Sequence, residues 1–351
     1  MSFDLKKLVR PHLLNLKPYS SARDEYKGTK GVFLDANENS YGSTTNHGNY
    51  SRYPDPMQWA VKSKLSEIKH IAPEHIFLGN GSDEPIDLLF RILCEPGQDS
   101  FLQTPPTYGM YQVCADINNV QTINVNLTAD FQLQTDEILS AVQPNTKMIF
   151  LCSPNNPSGN SLAASEMLKI VENFDGIVVV DEAYIDFSKE ESFVKYVAQY
   201  PNLVVLQTFS KAWGLANLRI GMAFTSLELI VIMNKVKYPY NINGLTQQLA
   251  QEALGNLDKQ KDYVSRILQQ RDLLEKELSK LGYVQKIYPS DANFLLVKFE
   301  NANKLFDYLI EHEVITRSRT KVTLCEDCIR ITVGTESENK TLLQKIKEFY
   351  N

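Results

Sequence analysis

Apolar positions in the middle of the chain come in short unbroken blocks rather than in alternation. "IFL" (76–78), "MIFLC" (148–152), "GIVVV" (176–180) and "LVVLQ" (203–207) have no polar face. Such blocks predict strands buried on both sides, the habit of a mostly parallel sheet covered by helices. The stretches between them carry helical spacing. In "SEMLKIVENF" (165–174), Leu168, Val171 and Phe174 recur at helical intervals. "HIFLGNGSDEPIDLLFRIL" (75–93) reads as strand, glycine turn and helix. Alternating strands and helices predict an α/β domain.

The last third has a different pattern. "YVSRILQQRDLLEKELSKLG" (263–282) predicts a long amphipathic helix with Val264, Ile267, Leu274, Leu278 and Leu281 on one face and Gly282 as its C-cap. Strand "NFLLVKF", helix "NKLFDYLIEH", strand "CIRITVG" and a final helix follow. The expected organisation is an N-terminal arm and small-domain segment (1–45), a large domain (46–245) and a smaller α+β domain (246–351).

Composition narrows the function classes. The chain has 351 residues, 43% hydrophobic and 22% charged, ample for a large core and two domains. Its formal net charge of -6 argues against nucleic acid and anionic membranes as partners. No apolar run approaches the ~20 residues that span a bilayer. The N-terminal residues lack the apolar core of a signal peptide, so the cytoplasm is the expected location. Five cysteines fit a reducing compartment. Cys325 and Cys328 form a C-x-x-C pair, but without further ligands it is a weak metal signal, and no metal is expected.

Ligands of open α/β sheets bind beyond the carboxyl ends of the strands. Here those ends carry "GNGSDE" (79–84), "SPNNPSG" (153–159) with Asn155 and Asn156, "DEAY" (181–184) and "TFSK" (208–211). The glycine turn presents N–H groups at a helix start, an anion site, although Ser82 serves equally as a plain N-cap. Asp181 taken alone reads equally as a solvated turn residue. Lys211 sits between two apolar runs, and partial desolvation would lower its amine pKa towards a usable nucleophile. A nucleophilic lysine, a nearby acid, an anion-binding turn and an arginine, Arg219, make up a pyridoxal phosphate site. Tyr108 in "PPTYGMY" is a candidate to stack on the ring.

"NNPSG", "DEAY" and "TFSKAWGLANLRIG" together resemble the fold-type-I aminotransferases. More narrowly, "LDANENS" (34–40), "RYPDP" (52–56), "GNGSDE", "TYGMY" (107–111), "DANF" (291–294) and "RITVGTESE" (330–338) resemble the histidinol-phosphate subgroup of that family, from about Tyr19 to about Glu338. The resemblance implies a pyridoxal 5'-phosphate-dependent transaminase of histidine biosynthesis. Such an enzyme moves an amino group between L-histidinol phosphate and 2-oxoglutarate. It implies Lys211 as the Schiff-base lysine, Asp181 as partner of the pyridine nitrogen, and Asn156 and Tyr184 near the phenolic oxygen. Gly81, Ser82, Asp83, Thr208, Ser210 and Arg219 fall at the cofactor phosphate, and Tyr108 stacks on the ring. Tyr53 reaches the cofactor phosphate of a second subunit, which implies a homodimer with shared sites. Arg330 grips substrate phosphate and carboxylate in turn, with Tyr19, Asn37 and Arg317 as further substrate contacts. Three positions depart from the family's habit: Asn217 stands for Gly, Ser40 for Pro and Ser158 for Thr. Asn217 tolerates positive φ, so the turn it occupies survives. The same fold also hosts aromatic amino acid aminotransferases and phosphothreonine decarboxylases, and these are the alternative activities. A regulator that senses the cofactor is disfavoured by the acidic charge and the lack of a basic helix-turn-helix.

Overall fold

A computed structural model describes residues 3–19, 31–46 and 48–351. Its larger sheet has seven strands: β1 (Ile76–Asn80), β2 (Ser100–Gln103), β3 (Gln121–Asn124), β4 (Thr146–Cys152), β5 (Ile177–Asp181), β6 (Leu203–Thr208) and β7 (Ile220–Phe224). Their order is β1-β7-β6-β5-β4-β2-β3. All run parallel except β7, which is antiparallel to both neighbours. Inverting one strand leaves the carboxyl ends of β1, β4, β5 and β6 on one edge.

The unbroken apolar blocks are accounted for by cover on both faces. Leu78, Ile149, Leu151, Val178, Val180 and Val205 pack with Met167 and Ile170 of helix Ala164–Asn173 and with Val61 and Leu65 of helix Trp59–Lys69. Residues one step along, Phe77, Phe150, Val179 and Leu206, pack with helix Asp83–Leu93 and helix Leu227–Val236 on the other face. Truncating a fully buried ring such as Phe150 would cost about 3–5 kcal/mol. Among the described residues no helix is long and apolar enough to cross a membrane.

The smaller sheet is antiparallel, with order β10-β11-β9-β8: β8 (Val284–Ile287), β9 (Phe294–Phe299), β10 (Arg317–Ser318) and β11 (Cys328–Thr332). One face, Leu295, Val297, Ile329 and Ile331, packs on helices Leu257–Leu278, Ala302–Glu311 and Glu336–Tyr350. Its other face turns towards the larger sheet, where Leu296 joins that sheet's core.

Several expectations need correction. The long helix begins at Leu257 and is capped by Ser279 in right-handed geometry (φ -65, ψ -16), so Gly282 is not its C-cap. Leu168 is only partly buried, and the inward face of its helix is Met167, Ile170 and Val171. Strands β2 and β3, four residues each, had no distinct signal, whereas β7 occupies the second apolar run after Lys211.

Candidate active site

The register sets the site. Asp181 lies opposite Cys152 and Leu206, Thr208 opposite Gly221, and Gly79 also opposite Gly221. The turn after β1, the lysine after β6, the aspartate ending β5 and the asparagines after β4 thus line one edge. Four strand spacings make that edge roughly 19 Å long.

Asp181 is buried. Its Oδ2 accepts the Tyr111 hydroxyl at 2.6 Å and its Oδ1 the Ala183 amide at 3.1 Å. Burial pushes the carboxyl up to about 6, against the pull of both donors; the charge of Asp83 adds to the push and Lys211 opposes it. A carboxylate held there at neutral pH favours a cationic N–H partner in front of it.

The turn after β1 differs from the expectation in detail. Gly81 is left-handed (φ +68), and its N–H donates to the Arg219 carbonyl at 2.8 Å. The Asn80 N–H donates to Glu84 at 2.6 Å. Both amides are therefore engaged inside the protein, and anion binding falls to the first amides of helix Asp83–Leu93, which have no intrahelical acceptor. The Ser82 hydroxyl makes no capping bond. Arg219 takes the left-handed conformation itself (φ 50), with Nη2 3.2 Å from Asp83. Asn217 lies in a 3-10 turn without positive φ, so glycine's freedom is not required there. The left-handed φ accounts for the glycine, and a Cβ there would also stand 2.6 Å from Arg219 Nη2 and shift the guanidinium. Thr208 Oγ1 donates to Ser210 Oγ at 3.0 Å and accepts the Ser210 N–H at 3.1 Å.

Lys211 is more open than its apolar flanks suggested, because the neighbouring blocks turn into the sheet while the lysine emerges at its edge. Water reaches the amine on the crevice side and protein crowds it elsewhere. Its pKa is lowered, first by lost hydration and then by Arg330, with Asp181 opposing. Nζ stands 5.6 Å from the centre of the Tyr184 ring. Burial drives the buried Tyr184 phenol well above its ordinary pKa, so it remains a neutral donor. Tyr108 is half-buried and donates to Asp83 at 3.1 Å. Burial first and then Asp83 push its pKa up as well.

The small domain supplies the opposite wall. Strand alternation puts Ile329 and Ile331 in its core and Arg330 on the face towards the crevice. There the guanidinium donates to Asn156 Oδ1 and lies 5.2 Å above the Phe294 ring. Phe294 in turn packs edge-on against Tyr184 at 5.2 Å. Arg317, exposed, is the register partner of Arg330.

Lys211, Asp181, Tyr184, Asn156, Arg330, Arg219, Asp83, Tyr108, Thr208 and Ser210 are thus linked through the crevice. Two predicted residues lie apart from them within one chain. Tyr53, half exposed and stacked on Tyr240 at 4.5 Å, and Asn37, left-handed at φ 54, line a separate open cavity of about 750 Å³. Tyr19 is exposed. Two residues went unrecognised in the sequence. Tyr111 was in view in "TYGMY", in the first turn of helix Met110–Ile117, and its ring meets that of Tyr108, which precedes the helix, edge-on at 5.5 Å. Arg319 carried a weaker signal, two residues after Arg317 on one strand face. Cys325 and Cys328 are buried thiols, with Cys328 pushed up by burial to about 11, which makes them poor nucleophiles. Among the described residues no three His, Cys, Asp or Glu side chains gather as a metal site.

Similarity to known proteins agrees with this geometry. The aminotransferase class I and II family matches residues 25–346. Histidinol-phosphate aminotransferase of Cytophaga hutchinsonii is 58% identical over 349 residues, 99% of this chain and 100% of that protein. The protein of the same name from Bacteroides thetaiotaomicron is 53% identical over 98% of this chain and 99% of its own. Among solved structures, histidinol-phosphate aminotransferase of Sinorhizobium meliloti, in complex with pyridoxal-5'-phosphate, superposes with a TM-score of 0.79 over 90% of each chain, at 22% identity. The Clostridium acetobutylicum protein of that name has the same TM-score and identity, covering 86% of this chain and 91% of its own. With a family match across most of its length and full-length relatives sharing more than half its residues, the chain belongs to the class I and II aminotransferases.

Proposed function

We propose that the protein is a histidinol-phosphate aminotransferase, exchanging an amino group between L-histidinol phosphate and 2-oxoglutarate with pyridoxal 5'-phosphate as cofactor. The observation that carries this reading is an amine, Lys211, and a buried carboxylate, Asp181, on adjacent strand ends facing an arginine, Arg330, across one crevice. The full-length relatives bearing that name support the substrate.

The donor set fits the cofactor. Asp181, held by Tyr111 and Ala183, takes a ring N–H. The Ser82 and Asp83 amides, Ser210, Thr208 and Arg219 would hold the cofactor phosphate beside Gly81, where a Cβ would displace the Arg219 guanidinium. Tyr108 would cover the ring, and Asn156 and Tyr184 would hold its phenolic oxygen. When bound, the cofactor supplies a carbonyl for the substrate amine and an electron-withdrawing ring that acidifies the carbon bearing it. Lys211 Nζ, with its lowered pKa, takes and returns the proton at that carbon. Asp181 keeps the ring N–H protonated, which its buried position makes strongly favourable. Arg330 orients the substrate by binding its anionic end, and a guanidinium fork accepts both carboxylate and phosphate.

The large domain (46–245) then binds the cofactor and the small domain (246–351) clamps the substrate. Tyr53 acts on the cofactor phosphate of a second subunit in a homodimer, in keeping with its exposure and its place in a cavity apart from Lys211, and Asn37 and Tyr19 are further substrate contacts. Mixing purified holoenzyme with L-histidinol phosphate should convert the cofactor's absorbance to that of the pyridoxamine form, and 2-oxoglutarate should restore it. No change with histidinol phosphate, alongside turnover of a phosphate-free aromatic amino acid, would replace this reading with aromatic transamination. Lys211→Ala should abolish borohydride fixation of the cofactor to the protein.

A further inference from the structure

One charged group in the crevice wall is used by nothing described so far. Arg319 follows β10, and its N–H donates to the Cys328 carbonyl at 2.8 Å, which extends the β10–β11 pairing by one step. Arg317 faces Arg330 in that pairing, and side chains two apart on a strand share a face. Arg317, Arg319 and Arg330 therefore lie on one face of the small sheet, the face turned to the crevice. Ile329 and Ile331 occupy the other face, in the small-domain core.

Among the described residues no ion pair holds Arg319. It is half-buried, and its Nε is sealed from water with no hydrogen-bond acceptor. Among the described residues none of the three arginines has a carboxylate within 4.0 Å. Burial first, then Arg330 and Arg317, lower the Arg319 pKa to about 10, so it stays a cation at neutral pH. A buried guanidinium N–H without an acceptor is unfavourable, and three neighbouring cations without an acid repel one another. An incoming anion relieves both.

The proposed function already assigns Arg330 to two unlike anions. A carboxylate has one charge and two acceptor oxygens, which one guanidinium fork satisfies. A phosphoryl group carries nearly two charges and three acceptor oxygens. Two further arginines on the same face are surplus for the first and matched to the second. Resting on that assignment, we infer that Arg319 binds the phosphoryl group of the amino donor and sets the preference for phosphorylated over unphosphorylated substrate.

Half-reactions of the holoenzyme test this with histidinol phosphate, histidinol and 2-oxoglutarate. Arg319→Gln should lower kcat/KM for histidinol phosphate about tenfold to a hundredfold, mostly through KM. The 2-oxoglutarate half should change less than about threefold, since Arg330 keeps its fork. The ratio of histidinol phosphate to histidinol turnover should fall in step. Arg319→Lys keeps the charge and should restore part of that ratio. A purely structural arginine would lower the melting temperature and both half-reactions together, and that outcome overturns the proposal, as does an unchanged ratio. A second readout separates this from failure of the proposed function. Inorganic phosphate, added to holoenzyme whose cofactor site is filled, should raise the melting temperature of the wild type more than that of Arg319→Gln. If the wild type ignores histidinol phosphate, the proposed function fails. The phosphate titration still decides the arginine, and equal stabilisation of both proteins overturns its role.

Discussion

Replacing Gly81 by alanine separates two effects that the structure superimposes at one position. Gly81 has φ +68, and an added Cβ would meet Arg219 Nη2 at 2.6 Å and Cζ at 3.2 Å. Left-handed backbone costs an L-residue about 1–2 kcal/mol. Gly214 is the matched control, with φ +66 and nothing within 4 Å of its added Cβ. Both alanine variants should therefore lose about 1–2 kcal/mol of stability, a shift of a few degrees in Tm for a chain of this size. Only Gly81→Ala should move Arg219. Its pairing with Asp83 is half-exposed, so losing that pair adds at most about 1 kcal/mol. Its loss as a phosphate ligand is larger, about 1.5–3 kcal/mol, or roughly tenfold to over a hundredfold in Kd. The assay is equilibrium dialysis of pyridoxal phosphate in a Lys211→Ala background, where the cofactor binds without its covalent link. Equal weakening by Gly81→Ala and Gly214→Ala would show that backbone strain explains the effect. No weakening by either would refute the displacement of Arg219 by a side chain at position 81.

Asp181 has a folded pKa of about 6 against 3.8 for the free group, so the cofactor-free fold binds this proton more tightly than the unfolded chain does. Its contribution to stability should fall by up to about 3 kcal/mol as pH rises from 4 to 6, and Asp181→Asn should remove that fall. Urea unfolding of both cofactor-free proteins across that range checks it, and a difference independent of pH would contradict the burial argument. In the holoenzyme the same variant should slow the chemical step by orders of magnitude. Mixing inactive Lys211→Ala with a strongly impaired Tyr53 variant should recover activity in heterodimers that hold one intact site, whereas full activity in a verified monomer would refute shared sites. Arg330→Lys keeps the charge but not the fork, and should lower the specificity constant of both half-reactions at least about tenfold; if both are spared, the clamp lies elsewhere.

Much of this protein is legible in the chain because its signals are local. Short, β-branched unbroken apolar blocks at 148–152, 176–180 and 203–207 suit strands covered on both faces, and β4, β5 and β6 lie there. The order of a polar residue after each block then points to one crevice, since parallel strands end on one edge. Strand alternation in "CIRITVG" by itself sets the Arg330 side chain opposite Ile329 and Ile331, which pack in the small-domain core. What the sequence could not contain is pairing between distant segments. That β7 runs against its neighbours depends on where residues 220–224 dock, and their composition reads the same in either direction. The short strands β2 and β3 are set by their partners, not by four residues of their own. The Tyr111 bond to Asp181 joins residues seventy apart, and only the fold brings that hydroxyl to the carboxylate. Left-handed backbone was expected to be tolerated at Asn217 but falls at Arg219, because the Gly81 amide bonds to the Arg219 carbonyl and draws that turn against the end of β1. Arg319 is one arginine among many in the sequence. It becomes a candidate ligand only when β10 pairs with β11 and leaves its Nε buried without an acceptor. Local periodicity thus determined the elements and the edge on which the chemistry sits, whereas long-range pairing decided which side chains meet there and which charges are left unbalanced.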